Sequence, residues 1–210
     1  ALTLTGGRLD VLFNNGAYAI PAAVEDLPTD ALRAIFEANF FGWHTLTRLA
    51  LPVMLAQKSG RIIQNSSVLG FAAMRFRGAY VASKFALEGL TDTMRLELDG
   101  SGVQAILIEP GPIRTKIREN AYLQFDKWIN WKEARQKSTY QNKLIPRLLK
   151  EKPGKDMFEL LAASVSEAVW KASTTTKPRA RYRVTWATTL MMLTKRLTPT
   201  RLTDNISKRH

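Results

Sequence analysis

The chain has 210 residues, 45% of them hydrophobic and 23% charged, with 31 Lys and Arg against 18 Asp and Glu. That length suffices for one sizeable core, and the formal charge of +13 suits an anionic surface, an acidic partner or a phosphorylated cofactor. With no cysteine and only His44 and His210 as imidazoles, disulfides and thiolate metal sites are excluded and no metal centre is expected.

No apolar run reaches the ~18 residues of a membrane span and there is no signal-peptide pattern, so a cytoplasmic protein is expected. Residues 1–4 read as the end of a helix, which implies further sequence upstream of Ala1. Residues 9–13 form a short apolar run stopped by Asn14, Asn15 and Gly16, the pattern of a buried parallel strand ending in a turn. A long helix is predicted over 29–57, with Leu32, Ile35, Phe36, Phe40, Trp43, Leu46 and Leu49 at helical spacing and a kink at Pro52. Asn39 interrupts its apolar stripe. A buried amide there is costly without partners, so it either bonds local backbone or points into a site.

A second strand over 61–65 delivers Ser66 and Ser67 at its carboxyl end, where ligands of open parallel sheets bind. A helix over 80–98 and a strand over 103–108, broken at Pro110-Gly111-Pro112, complete a strand-helix alternation that predicts an α/β, doubly wound parallel sheet. Residues 114–155 mix basic residues with Tyr122, Phe125, Trp128, Trp131 and Tyr140, which makes them a candidate lid or a pair of packed surface helices. A helix over 157–173, an edge strand over 181–185 and a weakly ordered tail over 194–210 are the remaining expectations, all within one domain spanning 1–210. Residues 186–197 are the nearest approach to an interfacial segment, with modest apolar content.

The chemistry concentrates in Tyr80 and Lys84. Four residues apart on one helix, they share a face, and a nearby ammonium favours the phenolate of a tyrosine whose ordinary pKa of ~10 makes it a poor base. A serine hydroxyl from a neighbouring strand could bond the same substrate oxygen. By itself Tyr-x-x-x-Lys is equally a solvated helix pair.

Taken together, Asn14-Asn15-Gly16-Ala17 after the first strand, Asn39, Ser67 thirteen positions before Tyr80, Lys84, and the Pro110-to-Thr115 segment resemble the short-chain dehydrogenase/reductase family over about residues 9–115. The resemblance implies a Rossmann-like fold of which the second half and the variable carboxyl-terminal region are present, with NAD or NADP as cofactor. It implies Tyr80 as general acid/base, Ser67 as its partner on the substrate oxygen, Lys84 as the residue that lowers the phenol pKa and holds the nicotinamide ribose, and Asn39 as part of a proton relay through water. Asn14, Asn15, Gly16 and Ala17 would pass the adenosine side of the cofactor, while Pro110, Gly111, Ile113 and Thr115 would meet its nicotinamide end. A homodimer or homotetramer, paired through the helices that carry Asn39 and Tyr80, is also implied.

Two departures stand out. The family's Asn-Asn-Ala-Gly turn appears as Asn-Asn-Gly-Ala, which strains Ala17 if that position needs positive φ. No glycine-rich pyrophosphate turn precedes Asn14, so the expectation is that the sequence lacks its amino-terminal part. Phe71, Met74, Phe76 and Tyr122 are expected to line an apolar pocket for a steroid, retinoid or similar hydrophobic alcohol or ketone. The alternatives are a 3-oxoacyl-carrier-protein-type reductase, with Arg114, Lys116 and Arg118 receiving the acidic carrier, and a non-catalytic or truncated scaffold that binds no cofactor. No nucleic-acid-binding module is recognisable.

Overall fold

Strand β1 (Val11–Asn14), near-continuously apolar, pairs in parallel with β2 (Gly60–Asn65), setting Val11 opposite Arg61 and Asn14 opposite Gln64. The computed structural model describes residues 2–149 and 159–207, of which 2–7 form turns. Between these strands lie α1 (Thr29–Phe36), a π turn (Glu37–Phe41) and α2 (Gly42–Gln57). After β2 come α3 (Gly78–Glu97) and β3 (Val103–Glu109), then the two-residue β4 (Ile113–Arg114). The region beyond contains α4 (Ile117–Trp128), α5 (Lys137–Thr139), a second π turn (Tyr140–Leu144) and α6 (Ile145–Leu148). The chain continues with β5 (Leu160–Leu161), α7 (Ala162–Thr174), β6 (Arg181–Arg183), α8 (Trp186–Leu197) and α9 (Thr200–Ser207).

The main sheet is parallel throughout, in the order β1-β2-β3-β6, and a separate parallel pair joins β4 to β5. Side chains alternate across it. Ile62 joins Met54, Met94, Leu98 and Ala105 beneath α2 and α3, while Ile63 joins Ile106, Ile108 and Ala172 beneath α7. The sheet is therefore covered on both faces, which is the doubly wound Rossmann-like arrangement.

Several boundaries differ from the sequence expectations for identifiable reasons. The helical backbone runs through Pro52, and the irregularity lies instead at the π turn that carries Asn39. The helix predicted over 157–173 begins at Ala162, because Leu160 and Leu161 pair with β4; residues 157 and 158 lie outside the described residues. The described tail from 194 is largely helical. Thr198, extended before Pro199, merely separates α8 from α9, and residues 208–210 lie outside the described part. Of the expected lid, residues 150–155 also lie outside it. The rest packs Ala121, Phe125, Tyr140, Leu144 and Leu148 into a core shared with Ile20, Ile35 and Tyr80.

Candidate functional site

The carboxyl ends of β1, β2 and β3 converge, and the turns that follow them form one wall of a cleft of about 680 Å³. The amide of Ser66 donates to the Ile108 carbonyl and that of Val68 to the Pro110 carbonyl, each at 2.8 Å, which binds the end of β2 to the turn after β3. A side chain at Gly111 would bring its Cβ within 2.4 Å of Thr185 Oγ1, so only glycine lets this turn seat against the start of α8.

Ser67 caps a short helical turn over residues 68–70, its Oγ accepting from the Leu69 amide at 3.1 Å. The same hydroxyl acts on the phenol of Tyr80, which α3 presents in its first turn, and both side chains line the cleft. Burial pushes the phenol up to about 12, opposed by the Ser67 hydroxyl and by the positive charge of Arg77. Arg77, one turn before Tyr80, contributes a positive charge that favours the phenolate, and Lys84 Nζ lies 5.6 Å from the centre of the Tyr80 ring. The Lys84 ammonium is fully buried, donates to the Asn65 carbonyl at 2.7 Å and sits 4.3 Å from the centre of the Trp43 ring. Burial pulls it down to about 7, only partly offset by Glu88. Lys84 thus stands behind the cleft wall rather than on it.

Asn39 is likewise used for structure. Its Nδ2 donates to the Tyr18 carbonyl at 2.9 Å and to Ser83 Oγ at 3.2 Å, and its Oδ1 accepts from the Tyr18 amide at 3.1 Å. The amide therefore clamps the loop after β1 onto α3, which removes the cost of burying it on an apolar stripe. Ser83, which also donates to the Tyr80 carbonyl at 2.9 Å, completes this clamp and was visible in the sequence only as a small residue.

Of the residues assigned to the cofactor, Asn15, Pro110, Gly111, Ile113 and Thr115 line the cleft. Asn14 is buried beneath it and donates to Gln64 Oε1 at 2.9 Å, while Gly16 offers its carbonyl to the Trp43 indole at 3.0 Å. Neither Gly16 nor Ala17 has a positive φ, and a Cβ at Gly16 would meet open space, so the swapped turn carries no strain. Asn65 donates to Asn15 Oδ1 at 2.6 Å, yet its own Oδ1 is buried without a hydrogen-bond partner at the cleft wall.

Of the four expected substrate residues, Met74 lines the cleft, whereas Phe71, Phe76 and Tyr122 do not. Phe76 adopts a left-handed backbone (φ 59°) that turns its ring onto Tyr140, 5.6 Å away, and Tyr122 packs at the margin of the same core. Tyr140 OH in turn donates to Asp26 and accepts from the Ala23 amide at 2.9 Å, holding the second π turn against the loop before α1. Arg77, Arg118 and Arg147 also line the cleft, and of these the sequence reading named only Arg118, as part of a patch for an acidic carrier. No single segment contains all three.

The sequence pattern described as short chain dehydrogenase matches residues 2–124, more than half of the chain. The chain belongs to the short-chain dehydrogenase family. Along 98% of its length this short-chain dehydrogenase is 38% identical to an uncharacterized oxidoreductase, YbbO, of Escherichia coli K12, of which it spans 69%. It is 31% identical, over 94% of its length and 69% of the relative's, to the NADPH-dependent 3-dehydrocapnine reductase of Ornithobacterium rhinotracheale. Among solved structures, a short-chain dehydrogenase from Streptomyces avermitilis superposes with a TM-score of 0.68 at 26% identity, over 96% of this chain and 69% of that one. The family is one of oxidoreductases, and no described helix is long and apolar enough to cross a membrane.

Proposed function

We propose that the protein interconverts a secondary alcohol and a carbonyl on a substrate with an apolar body, using NAD or NADP, with Tyr80 moving the proton. The observation that carries this reading is the pairing of the Tyr80 phenol with the Ser67 hydroxyl in a cleft at the carboxyl ends of three parallel strands. A dinucleotide fits the residues present: Asn65 offers a buried acceptor without a partner, and Asn15, Pro110, Gly111, Ile113 and Thr115 would flank the bound cofactor. Relatives and neighbours described with a phosphorylated cofactor include the NADPH-dependent reductase above and a gluconate 5-dehydrogenase structure in complex with NADP, 26% identical with a TM-score of 0.54.

The nicotinamide would supply or accept the hydride, and the chain's own groups would handle the proton. In reduction, Tyr80 Oη donates its proton to the carbonyl oxygen while Ser67 Oγ hydrogen-bonds the same atom and holds it in line. A phenol pushed up to about 12 keeps that proton at neutral pH, and the Arg77 charge stabilises the phenolate left behind. Lys84 donates one of its three ammonium protons to the Asn65 carbonyl, which fixes the end of β2 and leaves two donors for a nicotinamide ribose. Met74, Ile117 and Ala121 give the substrate end an apolar lining, and α4 to α6 would form a lid over it. Docking of an acidic carrier is less well supported, because Arg114 and Arg118 both face Glu159, at 3.5 and 3.7 Å. Exposed Leu46, Leu49 and Phe85 on α2 and α3 support pairing of these helices in a homodimer or homotetramer.

The test is steady-state turnover of an aldehyde, ketone and alcohol panel of increasing alkyl length with both cofactors. Tyr80→Phe should lower kcat by about 10²–10⁴-fold while leaving NAD(P)H fluorescence titration saturable. Alcohol oxidation needs the phenolate, so its kcat/KM should climb with pH. Arg77→Gln, by removing a charge that lowers the phenol pKa, should move that climb to higher pH. Full turnover by Tyr80→Phe would refute the reading.

A further inference from the structure

Helix α8 carries Trp186, Leu190, Leu193 and Leu197 at i, i+4, i+7 and i+11, so all four fall within about 60° of the helix circumference. They are exposed, from 45% to 80%, and Leu202 of α9, beyond the break at Thr198, is exposed as well. The opposite face of α8 is fastened to the protein. Thr188 is buried, with its hydroxyl 2.8 Å from that of Thr185. Lys195 donates to the Phe71 carbonyl, and its ammonium sits 4.6 Å from the centre of the Phe85 ring. Contacts on one side of the helix therefore turn the apolar stripe outward on the other.

Charge narrows the kind of surface that such a stripe can meet. Between Glu167 and Asp204 the sequence has eight Lys and Arg and no Asp or Glu. Arg181 and Arg183 are taken up inside the fold by Glu88, Asp92 and Glu109, whereas Arg196 and Arg201 are exposed and make no ion pair among the described residues. Arg196 stands ~100° round the helix from Leu197, at the border of the stripe, and Arg201 adjoins Leu202. An exposed apolar stripe bordered by cations, with a tryptophan at one end, is complementary to the boundary between headgroups and acyl chains of an anionic bilayer. No described helix is long and apolar enough to cross a membrane, and α8, ~18 Å long, suits lying along its surface.

The same helix adjoins the cleft. It follows β6, at the edge of the main sheet opposite β1, and Thr185 and Thr188 at its start pack so closely on Gly111 of the cleft lining that a Cβ there would clash.

We infer that α8 and α9 dock the protein on an anionic lipid surface, with Trp186, Leu190, Leu193 and Leu197 entering the headgroup layer and Arg196 and Arg201 meeting lipid phosphate. Docking on this face sets the Gly111 turn about one helix diameter, ~10 Å, from the lipid. The inference stands without the proposed function, which adds only that a substrate with an apolar body would be drawn from the same layer.

The full-length protein should be sedimented with vesicles of phosphatidylcholine, with and without phosphatidylglycerol as the anionic lipid. Binding should be about fivefold tighter or more with phosphatidylglycerol present. The double exchange Leu190→Ser with Leu193→Ser should weaken it about tenfold or more, and Arg196→Gln with Arg201→Gln should remove most of the preference for the anionic lipid. Leu96→Ser, the same exchange at an exposed leucine near the end of α3, should keep full binding. All four changed side chains on α8 and α9 are exposed, and thermal unfolding verifies that each variant folds. Failure of the unaltered protein to bind, or equal binding to both vesicle types, overturns the inference. So does full binding by the leucine double variant, or an equal loss in Leu96→Ser. Light scattering of the same variants forms the second arm: if the leucine exchanges break a self-association and leave vesicle binding intact, the stripe joins copies of the chain and the inference is overturned. Neither arm uses turnover, so failure of the oxidoreductase reading would be seen separately, in the substrate panel.

Discussion

The ammonium of Lys84 rests 4.3 Å from the centre of the Trp43 ring, and the main-chain oxygen of Asn65 is its hydrogen-bond acceptor. Trp43 comes from α2 and Asn65 from the end of β2, so one buried cation ties the helix, the strand and α3 together. The ring face and the carbonyl offset the cost of burying the charge without cancelling it, since burial still moves the ammonium from 10.5 to about 7.

Lys84→Met should therefore stabilise the cofactor-free protein while damaging activity. A folded-state pKa below the unfolded value makes the charge a cost that is present in full below about pH 7 and fades as pH rises toward 10.5. Urea unfolding at pH 6.5 should show the variant more stable by roughly 1–3 kcal/mol, with the gain shrinking at pH 8.5 and again at pH 10. Turnover should fall by about 10²-fold or more. A variant that is less stable at pH 6.5, or whose advantage grows with pH, would contradict this account of the ammonium.

A second cation holds the far side of the sheet. Arg181, in β6, makes ion pairs with Glu88 and Asp92 of α3 and with Glu109 of β3, and Arg183 reaches Glu109 at 3.2 Å. Glu88 and Glu109 are buried, at 7% and 1% exposure, so removing the guanidinium strands Glu88 and leaves Glu109 with Arg183 alone. Arg181→Met should cost about 3–5 kcal/mol at pH 8. Stranded carboxylates bind protons more readily in the folded state than in the unfolded one, so the loss should be smaller at pH 5. Denaturant unfolding at the two pH values checks both the size and the sign.

The double exchange Gly16→Ala with Ala17→Gly, which restores the commoner family order, should change stability by less than about 0.5 kcal/mol. Neither position has a positive φ, and a methyl at 16 meets nothing within 4 Å. A shift of several degrees in Tm would show that the turn is strained after all.

Local signals explain what could be read early. Apolar runs at 9–13, 61–65 and 103–108 became β1, β2 and β3 within two residues, because a strand buried on both faces needs nothing but such a run. Ser67 and Tyr80 stood out by spacing and context, and their side chains line the same cleft. The π turn at 37–41 was not readable. It depends on Asn39 bonding the backbone of Tyr18, which reaches it from a different segment of the chain. Phe76 and Tyr122 were assigned to a pocket on composition, but Tyr140, arriving from far along the sequence, draws Phe76 into the core.

By itself the sequence determined the class of fold and singled out Ser67, Tyr80 and Lys84, since the first follows from periodicity and the second from motif spacing. Which cation faces the phenol, and what charge lines the cleft beyond it, were decided only in three dimensions. Lys84 is the nearer choice by motif, but Trp43 and Asn65 also engage its ammonium, and Arg77 adds a second positive charge that acts on the phenol. Electrostatic interaction depends on distance and burial through space, and three arginines from separate segments come to line one cleft only after the chain has folded.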